Sequence, residues 1–167
     1  MNAFVIDVNV PIVTNGRSPQ ADKQCFKACV NALEAVQKSG KVLLDDGGLI
    51  LREYMNKLEI KGQPGLGNAF MKWVWERQGT ARCEMVSLTM AGNGDDDFSE
   101  FPRDSALKGF DRADRKYVAV ALASKASPVV LNAVDRGWWK HKDVLAKCGV
   151  TVEFLCPQCM NRGRDKK

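Results

Sequence analysis

The sequence contains no long hydrophobic run, a single histidine and few cysteines for its length. No apolar stretch approaches the ~18 residues of a membrane-spanning helix, because charged residues interrupt each one, and we expect no membrane association. The opening MNAFVIDVNVP lacks the basic segment of a secretion signal and carries an acid among its apolar residues, so we expect a cytoplasmic protein. Six cysteines in 167 residues are too few for a disulfide scaffold, and we expect mostly free thiols.

The composition is that of one globular domain with a mild excess of positive charge. Hydrophobic residues make up 45% of the chain and charged residues 27%, a balance that supports a packed core and argues against disorder. The net charge of +5 permits a polyanionic partner but does not require one. We predict one domain over residues 1–156, followed by a basic and flexible C-terminal tail over 157–167.

Strand patterns alternate with helix patterns along the chain. Short apolar segments predict strands at 3–8, 42–44, 83–89, 128–134 and 150–155, the third of them towards a sheet edge. Helical spacing and capping signals predict helices at 18–39, 49–58, 69–77, 111–124 and 138–148. This alternation is typical of an α/β fold, and we predict a three-layer α/β/α sandwich around a central, mainly parallel sheet.

Four acidic side chains are predicted to meet at one edge of this sheet. Asp7 ends the first strand, and Asp135 follows the strand at 128–134. Glu53 and Asp114 lie in the first turns of helices at the same edge, where ligands of such folds bind. Asp7 is the strongest indicator, because it follows a fully apolar strand where an unpaired charge is costly.

Four converging carboxylates repel one another unless a cation lies between them. Oxygen ligands without cysteine or histidine favour Mg²⁺ or Mn²⁺ over zinc, and such ions support phosphodiester hydrolysis. Each acid taken alone has a structural alternative, such as capping a helix, making a turn or facing water. The coincidence of all four at one edge favours the metal site.

The order and spacing of these acids resemble the acidic signature of PIN domains. The matching segments are Asp7-Val8-Asn9 after FVI, Glu53-Tyr54 in LILREYMNKL, Asp114 ahead of RKYVAVALA, and Asp135 after VVLNAV. PIN domains are mostly metal-dependent nucleases, often endoribonucleases, and many small bacterial members are toxins of toxin and antitoxin pairs. The resemblance implies an endoribonuclease that acts on RNA more than on DNA, with an antitoxin-like protein or a second copy of the chain as partner. It also implies four acids that are catalytic and bind Mg²⁺ or Mn²⁺, namely Asp7, Glu53, Asp114 and Asp135.

Further polar and aromatic side chains near these acids are candidates for binding a second ion or the substrate. Asp111 lies one turn before Asp114 and is either a helix N-cap, with Asp114 as its capping-box partner, or an additional metal ligand. Asn9 could bond the site carboxylates, and Asn132 could hold a water or a phosphate oxygen. Cationic and aromatic candidates, which could instead lie on a helix surface or in the core, are Arg112, Arg115, Arg136 and Trp138.

Three other interpretations are weaker. A zinc site from Cys148, Cys156, Cys159 and His141 is less favoured than free thiols, because a CxxC motif without a partner pair is a weak signal. An aspartate-nucleophile phosphatase needs a second aspartate two positions after the first, where this chain has Asn9. The non-enzyme alternative is a catalytically inactive PIN fold that serves as an RNA-binding or assembly module.

Overall fold

The computed structural model describes residues 1–58, 65–92, 94 and 96–160. Its single sheet has five strands, which are β1 (Ala3–Ile6), β2 (Lys41–Asp45), β3 (Cys83–Val86), β4 (Val129–Asn132) and β5 (Thr151–Phe154). Their order is β3-β2-β1-β4-β5, and every neighbouring pair is parallel. Helices flank the sheet, which confirms the predicted α/β class and is consistent with a three-layer α/β/α sandwich.

The described helices are α1 (Asn9–Thr14), α2 (Lys23–Ser39), α3 (Leu49–Lys57), α4 (Leu66–Arg77), α5 (Arg115–Ala123), α6 (Arg136–Lys140), α7 (Lys142–Lys147) and α8 (Pro157–Met160). Two short 3-10 turns, Ser105–Leu107 and Arg112–Asp114, precede α5. In the described part of the chain no helix combines the length and the apolar character needed to cross a membrane.

Strands at the centre of a parallel sheet are covered on both faces, and their side chains are therefore apolar on both. In β1 and β2 the side chains of Val5, Ile6, Leu43 and Leu44 have no exposed surface. The last strand, β5, alternates exposed and half-buried residues, as expected for a sheet edge. The strand β3 forms the opposite edge, as predicted.

The direction in which strands are added to the sheet reverses between β1 and β4. The strands β2 and β3 lie on one side of β1, whereas β4 and β5 lie on the other. In open parallel sheets the crevice at such a switch point, outside the carboxyl ends of the strands, is where ligands bind. Asp7 follows β1 and Asp135 closely follows β4, so the topology places both acids at this crevice.

The start of α2 differs from the prediction. The helix expected from Ser18 and Pro19 begins at Lys23, because Asp22 caps it by accepting a hydrogen bond from the N–H of Cys25 at 2.7 Å. The segment between β1 and α2, where no helix was predicted, contains the short helix α1. Its Pro11 lies in the first turn, where a missing N–H is tolerated.

The other boundaries shift for local reasons. The helix predicted over 111–124 is a 3-10 turn followed by α5, and the one predicted over 138–148 is divided at His141 into α6 and α7. The helix α4 starts at Leu66 rather than at residue 69. Gly67 permits that start, because a Cβ at this position would lie 2.1 Å from the carbonyl oxygen of Pro11.

The C-terminal segment was predicted to be a flexible tail from residue 157. Pro157–Met160 instead form α8, with Cys159 and Met160 buried. This part of the predicted tail is therefore packed on the domain. The basic residues of 161–167 lie outside the described residues, so the rest of the tail stays a prediction.

Candidate metal centre

Three of the four predicted acids come together at the switch point. The carboxylates of Asp7, Asp114 and Asp135 each offer an oxygen within 4.8 Å of the others. Asp114 arrives from a different part of the chain, as the last residue of the 3-10 turn before α5. Separations of this size allow one or two small cations to be shared among the carboxylates.

Asp7 is the buried member of this group, with only 2% of its surface exposed. Its Oδ1 accepts a hydrogen bond from the N–H of Asn9 at 2.9 Å, and its Oδ2 lies 3.5 Å from Nδ2 of Asn132. Burial raises the pKa of Asp7 well above its ordinary value, and the charges of Asp114, Asp135 and Glu53 raise it further. These two hydrogen bonds therefore do not offset the cost of the buried charge.

The charged form of Asp114 is also unfavourable at this site. Burial, followed by the charges of Asp135, Asp111 and Glu53, raises the pKa of Asp114 to about 7, while Lys116 opposes the shift. The metal-free cluster thus takes up protons near neutral pH, which a divalent cation would displace. The donor set consists of oxygen atoms alone, and it fits Mg²⁺ or Mn²⁺.

Glu53 lies beside this group rather than within it. Its Oε1 accepts a 2.5 Å hydrogen bond from the hydroxyl of Tyr117 and lies 3.3 Å from Nζ of Lys116. Burial raises the pKa of Tyr117 well above its ordinary value, so the hydroxyl stays protonated and is the donor of this hydrogen bond. Glu53 is therefore held in place near the cluster, and its predicted role as a ligand stays a prediction.

Tyr117 was not predicted as a site residue, and Lys116 was considered only as one of several cations that could hold phosphates. A signal was present, because Tyr117 lies three residues after Asp114 and residues at this spacing share one face of a helix. Lys116 is also buried to an unusual degree for a lysine, with 8% of its surface exposed. Its Nζ donates to the carbonyl of Ala113 as well as approaching Glu53.

Two asparagines join the ends of β1 and β4. The side-chain oxygen of Asn9 accepts from the N–H of Ala133 at 2.9 Å, and that of Asn132 accepts from the N–H of Asp135 at 3.2 Å. Asn132 is fully buried, whereas it was predicted to hold a water or a phosphate oxygen. The contacts that both side chains make in this structure are structural ones that position the acids.

Two of the acids also cap the elements that follow them. Oδ1 of Asp135 accepts from the N–H of Gly137 at 2.8 Å and fixes the start of α6. Asp111 is exposed and caps the 3-10 turn by accepting from the N–H of Ala113 at 3.0 Å. The N-cap interpretation of Asp111 is thus confirmed, and its role as an additional metal ligand stays a prediction.

Two of the three predicted phosphate-binding arginines make ion pairs within the chain. Arg112 pairs with Asp96 through contacts of 2.7 and 3.1 Å. The guanidinium of Arg115 lies 3.9 Å from Asp97 and 4.6 Å from the ring centre of Phe101. These contacts attach the loop that follows β3 to the start of α5.

Arg136 is exposed at the start of α6 and, unlike these two arginines, makes no ion pair with another described residue. It directly follows Asp135, one of the three clustered acids. Of the three arginines it is the one most open to a phosphate.

The prediction that Trp138 stacks on a base is wrong. Its side chain is fully buried, and its ring packs against Phe110 at 5.1 Å and Tyr117 at 6.5 Å between ring centres. The adjacent Trp139 is half-buried, in an edge-to-face contact with Phe154 and with Nζ of Lys142 4.0 Å from its ring centre. Helical geometry turns one of two consecutive side chains inwards, and here it is Trp138.

Most of the cysteines are free thiols, as predicted, but one pair is not. Cys25 of α2 and Cys156, directly before α8, form a disulfide. Cys29, Cys83, Cys148 and Cys159 are free. The zinc set that included Cys148 and His141 is not assembled among the described residues, where the sulfur cluster contains Cys25, Cys29 and Cys156.

Comparison with known proteins found no matching family model, no matching curated protein and no matching solved structure. The resemblance to PIN domains therefore rests on the order and spacing of the acids in the sequence.

Proposed function

We propose that the protein is a Mg²⁺- or Mn²⁺-dependent nuclease of the PIN type that hydrolyses phosphodiester bonds, with RNA favoured over DNA. The observation that carries this proposal is the convergence of Asp7, Asp114 and Asp135 at the switch point of a parallel sheet. Asp7 is more than 100 positions away from Asp114 and Asp135 in sequence, and local structure alone does not explain their meeting. The raised pKa values of Asp7 and Asp114 indicate a site that is electrostatically unfavourable without a cation.

The residues that would hold the ion are Asp7, Asp114 and Asp135, with Glu53 beside them. A bound divalent cation of this kind supplies activation of a water molecule and stabilisation of the leaving oxygen in phosphodiester hydrolysis. Three carboxylates on separate elements would orient the attacked phosphate by fixing the ion's position relative to the crevice.

The chain itself supplies the positioning. Asn132 and Asn9 fix the ends of β1 and β4, and the start of α6 fixes Asp135. Tyr117 and Lys116 fix Glu53. Carboxylates held by neighbouring hydrogen bonds give a more precise site than mobile ones. Arg136, exposed beside the cluster, is suited to bind a phosphate of the substrate strand.

The proposal is tested by cleavage of end-labelled RNA and DNA, each single-stranded and structured, with Mn²⁺ or with EDTA. We expect cleavage with Mn²⁺ that EDTA abolishes and that Asp7→Asn or Asp114→Asn lowers by at least ~100-fold. Glu34→Gln, which changes an exposed acid of α2, is the matched control and should retain activity.

A wild-type protein that cuts neither nucleic acid, or Asn variants that cut as well as the wild type, would overturn the nuclease proposal. Binding of RNA without cleavage in Mn²⁺ would instead favour the inactive RNA-binding module. The protein partners implied by the resemblance, an antitoxin-like protein or a second copy, stay predictions, as do the toxin or defence role and the cytoplasmic location.

A further inference from the structure

Four buried cysteines, two on α2 and two near the last described residues, are not part of the acid cluster. Cys25 and Cys29 are four residues apart on α2, a spacing that places them on one face of the helix. Cys156 follows β5 directly, and Cys159 lies in α8. The first three have no exposed surface, and Cys159 has 3%.

Three of the four sulfur atoms lie close together, two of them joined in the Cys25–Cys156 disulfide. The sulfurs of Cys25, Cys29 and Cys156 lie within 4.8 Å of one another, and those of Cys29 and Cys156 are 3.9 Å apart. In a tetrahedral zinc site with Zn–S bonds of about 2.3 Å, adjacent sulfurs are about 3.8 Å apart. The separation of Cys29 and Cys156 is thus that of two ligands of one zinc ion.

Cys159 lies three residues after Cys156 and is the candidate for a fourth ligand. Its backbone N–H donates to the carbonyl of Cys156 at 3.0 Å, which closes the turn of the CxxC motif. Cys159 is also buried, with 3% of its surface exposed. The pair on α2 is the partner that the CxxC motif lacks when the sequence alone is considered.

We propose that the reduced chain binds one Zn²⁺ through Cys25, Cys29, Cys156 and Cys159. The donors are four buried thiols, a closed set typical of a structural zinc site that holds no catalytic water. This set is chemically distinct from the oxygen-only acid cluster, because thiolates select zinc whereas carboxylates suit Mg²⁺ and Mn²⁺. The site attaches α8 and the edge strand β5 to α2.

Zinc binding and the Cys25–Cys156 disulfide exclude each other. A dithiol reductant supplies two electrons and two protons to the disulfide, which gives two thiols and the oxidised reductant. Zn²⁺ then replaces the four thiol protons, which are released to solvent, and four Zn–S bonds form.

The site is tested with Co²⁺ and Zn²⁺ on the full chain, reduced with a dithiol that is then removed under anaerobic conditions. Co²⁺ bound to four thiolates gives intense sulfur-to-metal charge-transfer absorption together with the visible bands of a tetrahedral ion. We expect this spectrum at one Co²⁺ per chain, its loss on addition of one equivalent of Zn²⁺, and much weaker binding after oxidation to the disulfide.

Cys29→Ser and Cys159→Ser should each weaken Zn²⁺ binding by at least ~10-fold. Cys83→Ser and Cys148→Ser, which change free cysteines outside the cluster, should leave it unchanged. Circular dichroism establishes that each variant is folded, and the spectrum of the wild type tests the site without any variant.

The proposal would be overturned if the reduced wild type shows no tetrahedral thiolate spectrum. It would equally be overturned if Cys159→Ser binds as tightly as the wild type, or if Asp7→Asn abolishes the binding and thereby assigns the ion to the acid cluster. None of these outcomes depends on nuclease activity, so this proposal and the nuclease proposal fail independently.

Discussion

The amide nitrogen Nδ2 of Asn132 lies 3.5 Å from Oδ2 of Asp7, where the carboxyl ends of β4 and β1 adjoin. Asn132 is fully buried, and its Oδ1 accepts a hydrogen bond from the N–H of Asp135. A neutral amide therefore occupies a position where another carboxylate would increase the repulsion within the acid cluster.

The first prediction concerns Asn132→Asp, which changes the charge at nearly constant shape. Without metal at about pH 8, we expect the free energy of unfolding to fall by ~2 kcal/mol or more, because a buried charge is added beside Asp7. Urea unfolding with and without Mn²⁺ measures this. Mn²⁺ should stabilise the variant more than the wild type, and equal metal-free stability of the two proteins would contradict the electrostatic account.

The second prediction concerns pH. The pKa of Asp114 is about 7 in the folded protein and 3.8 ordinarily, so between these values the folded state binds more protons than the unfolded state. The contribution of Asp114 to stability is therefore lost as pH rises from about 4 to about 7. Asp114→Asn removes this loss. Without metal, the stability of the variant relative to that of the wild type should therefore rise by ~1 kcal/mol or more between about pH 5 and about pH 8. Thermal melts at both pH values measure the difference, and a constant difference would argue against a shifted Asp114.

The third prediction separates positioning from packing. Tyr117→Phe removes the hydroxyl that donates to Glu53, whereas Tyr54→Phe removes a buried hydroxyl that donates to the carbonyl of Ile6. Each change should cost ~1–3 kcal/mol of stability. Only Tyr117→Phe should also weaken Mn²⁺ binding, by ~10-fold, because Glu53 loses a positioning partner. Calorimetric titration with Mn²⁺ checks this, and an equal effect of both variants on affinity would assign Tyr117 a purely structural role.

Some of the site could be predicted from the sequence because its signals are local. Asp7 stands out as a charge after an apolar strand, and parallel topology alone brings it to the same edge as Asp135. The hydrogen bond of Tyr117 to Glu53 could not be predicted in this way, since it joins residues 64 positions apart through the packing of α3 against α5.

The predictions that were wrong depended on contacts and geometry that the sequence pattern does not encode. Cys25 and Cys156 are separated by 131 positions, and no periodicity links the two. The start of α2 depended on a choice between two capping signals close together, Ser18-Pro19 and Asp22, and only the hydrogen bond of Asp22 to Cys25 decides it. Trp138 and Trp139 are adjacent, and the side that each faces is set by the helix register rather than by residue type.

The fourth prediction concerns the nucleic acid. Arg136 is exposed beside Asp135, whereas Arg112 is paired with Asp96. In an Asp7→Asn background, which prevents cleavage, Arg136→Ala should weaken RNA binding and lower the slope of log affinity against log salt concentration by about 1. Arg112→Ala is the comparison and should change the slope less. Fluorescence anisotropy over a salt series measures both, and an unchanged slope for Arg136→Ala would remove it from the phosphate contacts.

The most direct measurement of the central claim is calorimetric titration of the metal-free protein with Mn²⁺, which the thiol cluster does not compete for. Wild type, Asp7→Asn and the surface control Glu34→Gln are compared at about pH 8, above the pKa of Asp114. The account predicts saturable binding to the wild type and to Glu34→Gln, and binding at least ~10-fold weaker to Asp7→Asn. Absence of saturable binding to the wild type, or equal affinity of Asp7→Asn, would contradict the assignment of this cluster as a metal centre.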